Sequence, residues 1–531
     1  MEFKFGGSAE NQKTVLGHPA GLFVLFFTEM WERFSYYGMR ALLVLFLIAA
    51  MTGENSGWGW ERADATILFG WYIGLVYLTP IIGGYIADKF TGYRKAVVIG
   101  AFIMTLGHAA MALEIIGNWF FYLGLVLLIL GNGMFKPNIS SIVGQLYKSQ
   151  GEEKDAGYTI FYMGINAGAF LGILLCGYIG TNVGWHYGFG LAGIFMFFGM
   201  LQFYFAQNIF GNIGLSPKAT KEIEDVIEDS LEETKDDIED VAKQAENSKI
   251  VSDRIKVIAI FALFTTFFWW AFEQAGSSMT IFANDYTDRL LTGDSATTFN
   301  IVNTIITVVP LFVLTWVLFM LFKQTFGKFA LSNIFLGTSF VIIWALVIWM
   351  LYRDFNAETS EVPATWFSVL NSLFIILFAP LFSKLWESKY NPSGPVKFAL
   401  GLVLVGIGFG ALAYGSMEIP IGAKTASVSM LWLVAAFLLH TLGELCLSPV
   451  GLSYVSKLAP AKLVGMMFGI WFISNFLAGV IGGWTASFMD PILEESGLTT
   501  FFLIFTLIPI GAGIVMFLLN GKIKKMMHGI R

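Results

Sequence analysis

Four charged residues, Glu29, Glu32, Arg33 and Arg40, stand inside "FFTEMWERFSYYGMRALLVLFL", residues 26–47, whose flanks are apolar enough to sit in lipid. On a helix turning by about 100° per residue, these four and Tyr36 fall within roughly 100° of arc. One face is charged and phenolic; the other is Phe, Leu and Val. A charge at the centre of a lone membrane helix costs about 2.5–3.5 kcal/mol on insertion scales. Pairing Glu32 with Arg33 locally, and the other charges with other helices, lowers that cost. A structural knot of salt bridges would explain this cluster taken alone. Other apolar stretches, however, carry Lys136 in "LGNGMFKPNISSIVG", Glu273 in "FFWWAFEQAGSS" and Glu444 in "LLHTLGELCLSPVG". Asn166 and Asn371 sit in two more, "FYMGINAGAFLG" and "WFSVLNSLFIILFAP". Together they read as a polar cavity with both signs of charge. A carboxylate beside a cation titrates as its partner moves, which is how a proton relay works. Cations and anions offered to different ends of a solute suit a zwitterion. A sugar or an apolar drug would not need them.

The elements that must position these groups are membrane helices. Of 531 residues, 56% are hydrophobic and 13% charged, against roughly 25% charged in soluble domains. The aromatic share of 16%, with 52 Phe, suits lipid-facing helices and interfacial belts. The net charge of −6 offers nothing basic enough for nucleic acid. A span needs about 20 apolar residues. Candidates fall near 20–50, 64–87, 95–115, 119–147, 156–180 and 187–209, then 253–283, 298–323, 330–352, 364–386, 396–416, 427–455, 463–488 and 499–520. The expectation is an all-α polytopic protein of about fourteen spans, with residues 1–18 as a cytoplasmic lead and not a signal peptide. A first bundle covers 19–209 and an acidic linker 210–252. A second bundle covers 253–521, and 522–531 form a tail.

Lys89, Arg94 and Lys95 follow the second span, Lys148 and Lys154 the fourth, Lys323 and Lys328 the eighth, and Lys457 and Lys462 the twelfth. Basic exits after even-numbered spans place both termini in the cytoplasm; Arg62, Arg289, Arg353 and Lys424 are scattered exceptions. The linker is then cytoplasmic. Ile223, Ile227, Leu231, Ile238 and Val241 recur there at helical spacing, as a solvated helix or a docking one. Asp88 in "GGYIADKFTGYRKA" suits a cytoplasmic latch. Aligning Pro137 with Pro449 matches Lys136 to Ser448 and Asn132 to Glu444, the internal correspondence that repeated transporter halves predict. No pair of the five His has metal-ligand spacing, and no phosphate-binding loop appears. Cys176 and Cys446 read as small buried hydrophobes. The chain reads as a secondary transporter rather than an enzyme, with protons as coupling ion and no cofactor.

Over nearly its whole length the chain resembles the proton-dependent oligopeptide transporters of the major facilitator superfamily. The resemblance rests on the first-span E-x-x-E-R followed by "FSYYGMR", on "YTIFYMGINAGAF" at 158–170, and on "GGYIADKFTGYRKAVVIG", "GNGMFKPNISSIVG", "FWWAFEQAGSSMTIFA", "SGPVKFALGL" and "GELCLSPVGLSYVSKLAP" in that order. It implies two six-helix bundles and a proton-coupled symporter of di- and tripeptides in a bacterial inner membrane, with a monomer compatible. It also implies proton coupling by Glu29, Glu32 and Arg33, with Lys136 as their partner, and a gating pair of Arg40 and Glu273. Arg40 and Lys136 would face the peptide carboxylate, and Glu444, Asn166 and Asn371 the amino terminus. Tyr36 and Tyr77 would line the cavity and Trp471 a side-chain pocket; ordinary aromatic packing explains Tyr77 and Trp471 equally well. Relatives usually carry two extra helices between the bundles. Here the apolar pair at about 298–352 instead falls after the Glu273 span, inside the second bundle. Two other readings remain: a carrier of nitrate or another small solute, and a nutrient sensor with a transporter fold.

Overall fold

A computed structural model of the chain describes residues 3–148, 151–219, 248–357, 359–459 and 463–530. Most of the acidic linker, including the helix expected between Ile223 and Val241, lies outside the described residues. The first bundle contains α1 (Ala20–Ile48), α2 (Arg62–Ile86), α3 (Tyr93–Ala112), α4 (Asn118–Gln145), α5 (Glu152–Asn182) and α6 (Trp185–Ala206). Beyond the linker come α7 (Ser248–Phe272), the short α8 (Ser278–Asp285), α9 (Gly293–Thr325) and α10 (Ala330–Asn356). They are followed by α11 (Trp366–Glu387), α12 (Gly394–Gly415), α13 (Leu431–Leu458), α14 (Val464–Ala486), the short α15 (Met489–Ser496) and α16 (Leu498–Met526). Thirteen helical stretches among the described residues are long and apolar enough to cross a membrane. The 29-residue α1 matches them in length and differs by its charges, which brings the spans to fourteen.

Helices dominate because a chain in lipid must satisfy its backbone within each segment. The strands are two residues long and confined to loops. Thr14–Val15 pairs antiparallel with His18–Pro19, and Leu290–Leu291 antiparallel with Ser360–Glu361; Thr287–Asp288 pairs parallel with Val428–Ser429. The start of α1 is capped from a distance: Asn11 Oδ1 accepts the Gly21 N–H at 2.7 Å. Arg94 binds inside its own bundle. It donates to the carbonyls of Gln207 (3.1 Å), Ile213 (2.6 Å) and Gly211 around the C-terminal end of α6, where the helix dipole favours a cation. Asp88 beside it is exposed.

The bundles meet closely near the α1–α2 loop. There α2 crosses α14 through small residues: a Cβ on Gly70 would fall 2.7 Å from the Gly479 carbonyl oxygen and from the Gly483 Cα. Small residues let helix backbones approach this far in lipid. At the opposite end Ile82 and Tyr85 of α2, Tyr158 of α5 and Leu381 and Leu385 of α11 are exposed.

The pair α9–α10 is inserted in the second bundle by sequence, yet it packs on the first. Phe340 of α10 lies edge-on to Phe27 and Trp31 of α1, each with centroids 5.6 Å apart. Ser332 Oγ donates to the Gln202 carbonyl of α6 at 2.8 Å, and Tyr178 OH of α5 to Asp354 Oδ1 at 2.9 Å. The pair meets the second bundle at one end, where Arg289 and Glu361 of its two connecting loops bind at 2.9 Å and Asn303 Oδ1 of α9 accepts Trp366 Nε1–H of α11 at 3.0 Å. Mechanically it belongs with α1, α5 and α6. Phe340→Ala should therefore cost about 3 kcal/mol, read as a lower unfolding midpoint in detergent. Val341→Ala, at a residue 70% exposed, should leave the midpoint in place.

Candidate functional site

Except for the half-buried Lys136, the charges expected on α1 and at Glu273 are buried and come together in two groups. The first belongs to α1. Arg33 lies between two carboxylates one turn and one residue away: its Nε is 3.3 Å from Glu29 Oε1, and its second terminal nitrogen donates to Glu32 Oε1 at 2.6 Å. Its guanidinium also faces the rings of Tyr36 (5.0 Å) and Tyr37 (6.0 Å). The neighbouring helix enters through Asn132 of α4, which donates to Glu32 Oε1 at 2.9 Å. Lys136, one turn further along α4, makes no ion pair within 4.0 Å among the described residues. Its Nζ lies 5.2 Å over the Tyr77 ring of α2. The cluster is thus tied to α4 through Asn132, while the lysine is held beside it by an aromatic face.

The second group spans the bundles. Arg40 of α1 is paired with Glu273, and both are buried. Arg40 also lies over Phe69 of α2 (5.4 Å) and Tyr37 (5.8 Å). Glu273 opens the short 3-10 turn Glu273–Gly276, where the span breaks between α7 and α8. Gln274 holds this break in place: its Nε2 donates to the Gly482 carbonyl of α14 at 3.0 Å, and its Oε1 accepts Ser278 Oγ–H at 2.6 Å. A broken helix frees backbone and side chains to face a cavity, and small residues allow the turn.

Below this pair, Glu444 Oε2 accepts from Asn371 Nδ2 at 3.0 Å, and the same amide nitrogen lies 3.0 Å from Thr441 Oγ1. Asn166 Nδ2 donates to the Tyr162 carbonyl of its own helix at 3.0 Å, which leaves its oxygen for other use. Among the described residues, Tyr36 OH and Ser448 Oγ have no hydrogen-bond partner. Trp471 is buried against Gly451 of α13. A cavity of about 60 Å³ opens between Tyr37, Arg40, Asn371, Ser372, Thr280 and His440. Of the expected site residues, Arg40 and Asn371 line this cavity, and their carboxylate partners Glu273 and Glu444 are buried behind them.

Sequence reasoning passed over a further layer. Arg62, at the start of α2, binds Asp285 Oδ2 at the end of α8 at 2.7 Å and Asp490 Oδ1 of α15 at 2.8 Å, and donates to Tyr286 OH at 3.1 Å. These partners lie more than 200 positions away in sequence, so spacing could not find them. The signal was Arg62 itself, an arginine in an otherwise Lys- and Arg-poor loop. The layer covers the Arg40–Glu273 pair from the α1–α2 side and borders a cavity of about 530 Å³.

Comparison with known proteins adds the family. Residues 94–351 and 336–502 match the profile described as POT family. The chain is 34% identical over 537 residues to the uncharacterized transporter YclF of Bacillus subtilis, covering 98% of this chain and 97% of that protein. It is 33% identical over 522 residues to the peptide transporter YePEPT of Yersinia enterocolitica, covering 89% of each. Among solved structures, a mutant POT peptide transporter in complex with alafosfalin superposes with a TM-score of 0.74 at 29% identity, covering 98% of both chains.

If Arg62 helps hold the α1–α2 end closed, Arg62→Met should loosen it. A cysteine introduced at Thr280, which is 5% exposed, should then react with a maleimide roughly two- to fivefold faster, the range a partly exposed ion pair carries. Asp490→Asn should act in the same direction and more weakly.

Proposed function

The chain belongs to the POT family of membrane transporters, and from that premise we propose that it carries di- and tripeptides together with protons by alternating access. The observation that carries this reading is the buried pairing of Arg40 with Glu273 across the two bundles, beside a cavity lined by Arg40 and Asn371, whose amide holds the buried Glu444. The relatives named above as peptide transporters favour a peptide as the solute.

A peptide's amino terminus is a cation with three donors, and Glu444, the Asn371 amide and the Asn166 oxygen form its acceptor side. Its carboxylate is an anion, and Arg40 and Lys136 form the cationic side. Arg40 cannot hold both Glu273 and a peptide carboxylate in full geometry. Protonating Glu273 removes its charge, releases Arg40 to the substrate and removes one tie between the bundles. Opening at the α1–α2 end then also requires Arg62 to part from Asp285 and Asp490. The cluster of Glu29, Glu32 and Arg33 takes the proton onward: a carboxylate held by Arg33 and Asn132 gains a proton when either partner moves. Tyr36 and Tyr77 position Arg33 and Lys136, and Trp471 and Ser448 face the solute from the second bundle.

Basic residues after α2 and α4 and in the last turns of α16 favour the cytoplasm for that end, and with the family this supports a multi-pass protein of the bacterial inner membrane with both termini inside. The state described here is then closed outward. Substrate and protons enter from outside and leave inward as the bundles rock.

Dialanine uptake into proteoliposomes, with and without an inward pH gradient, tests the reading. Accumulation that a protonophore abolishes is expected; no accumulation of dialanine or of a peptide mixture by folded protein overturns it. Glu32→Gln should abolish gradient-driven uptake and leave peptide counterflow measurable. Driven uptake that survives the change would remove this residue from coupling. Glu444→Gln should weaken dipeptides by roughly tenfold or more, the scale of a hydrogen bond to a charged group. It should spare an analogue that lacks the free amine.

A further inference from the structure

Arg353 has no part in the roles assigned above, and topology does not account for it: it is one of the scattered basic residues in the Lys- and Arg-poor loops. It sits in the last turn of α10. Among the described residues it makes no ion pair, although Asp354 is its neighbour in the chain. Its guanidinium lies instead over the rings of Trp349 (5.0 Å) and Tyr178 (5.9 Å). It lines a cavity of about 190 Å³ where the ends of α5 and α10 meet the first turns of α9 and α11. Asn55 of the α1–α2 loop donates to the Gly180 and Thr181 carbonyls of α5 at 2.8 and 3.1 Å, so this end of α5 lies beside that loop. The cavity is therefore at a membrane boundary. Trp349 and Tyr352 are exposed there, as aromatic residues of an interfacial belt are.

Two further polar groups line the cavity with bonding capacity to spare. Asn303 of α9 is 4% exposed; its Oδ1 is taken by Trp366 Nε1–H, while its Nδ2 has no hydrogen-bond partner among the described residues. A polar group this deeply buried is normally satisfied. Asp354 accepts Tyr178 OH through Oδ1, and its second oxygen has no hydrogen-bond partner among the described residues. Between these groups the walls are apolar, from Leu174, Phe299 and Met350. A guanidinium and an amide N–H recognise an oxyanion, and a carboxylate recognises an ammonium. At the edge of the bilayer one abundant class of molecule carries both charges a few bonds apart: a zwitterionic phospholipid. Basic pockets between membrane helices take such head groups. The rings that could hold a quaternary ammonium are already covered by Arg353. A primary ammonium, which can donate to Asp354, fits where choline does not.

We propose that this cavity binds the phosphoethanolamine head group of a phospholipid from the leaflet on the α1–α2 side. The phosphate meets Arg353 and Asn303, and the ammonium meets Asp354. The inference does not depend on which solute the protein carries.

The test titrates the purified full-length protein in detergent with phosphatidylethanolamine, phosphatidylcholine or phosphatidylglycerol of identical acyl chains, and counts bound lipid by native mass spectrometry. Phosphatidylethanolamine should bind roughly tenfold more tightly than phosphatidylcholine, the scale of one hydrogen bond to a charged group. Affinity should fall as methyl groups replace the ammonium hydrogens. Asp354→Asn keeps an acceptor for Tyr178 and should bring the ratio of the two lipids to about one. Arg353→Gln should weaken both by roughly tenfold, through the lost phosphate contact, and leave their ratio in place. Free phosphoethanolamine should displace the lipid only in large excess. Equal binding of the two lipids by wild-type protein, a ratio kept in Asp354→Asn, or tighter binding of phosphatidylglycerol would each overturn the proposal. Displacement by free phosphoethanolamine at matched concentration would overturn the lipid as its source. If Asp354→Asn fails to fold, the methylation series on wild-type protein decides.

Discussion

An ion cannot stand alone in the interior of a membrane protein, and the arrangement of this chain follows from where each buried charge finds its partner. Arg33 is satisfied within α1 by Glu29 and Glu32, so that part of the cluster travels with one helix. Among the described residues, the ion-pair partner of Arg40 is Glu273, on the far bundle. The same physical demand thus produces one pairing that is internal to a rigid unit and one that is a bond between two units. Breaking a buried pair by removing one partner is costly because it leaves an uncompensated charge. A device that neutralises one partner, or brings in a replacement, avoids that cost. In the proposed cycle a proton on Glu273 would do the first and a peptide carboxylate on Arg40 the second.

Closure at the α1–α2 end uses three kinds of contact. Glycines at 70, 479 and 483 bring α2 and α14 to backbone distance, which contributes dispersion but no specificity for one state. Arg62 with Asp285 and Asp490 adds charge pairs at the rim, where water reduces their worth. The Arg40–Glu273 pair lies beneath both and is buried. Graded burial from rim to centre means that the weakest ties face solvent and the strongest faces the interior. The pair α9–α10 stands outside this closure. Its main aromatic and hydrogen-bonded seam is with α1, α5 and α6, while its connecting loops and the contacts of Phe299 and Asn303 with Trp366 tie it to the second bundle.

The spans, their number and the buried charges are legible in one dimension because each depends on local composition. A run of about twenty apolar residues has few alternatives to a helix in lipid, and a charge within such a run announces itself. The extra helix pair could likewise be placed in chain order. Its address on the first bundle could not, because Phe340 meets Phe27 and Trp31 from more than 300 residues away. Lys136 shows the same limit. Its type and depth point to the cluster on α1, yet Asn132 makes the contact and the lysine rests on Tyr77, since one helical turn decides which side chain arrives.

The sequence by itself therefore determined a membrane protein of many helices with a mixed-charge interior, along with the residues able to titrate there. Hydrophobicity and helical period are properties of neighbours along the chain. Only the tertiary structure decided which carboxylate answers which cation, that Arg62 is a rim tie rather than a stray loop charge, and that the inserted helix pair packs on the first bundle. Those facts depend on distances between helices hundreds of residues apart, and burial of charge makes each such distance matter.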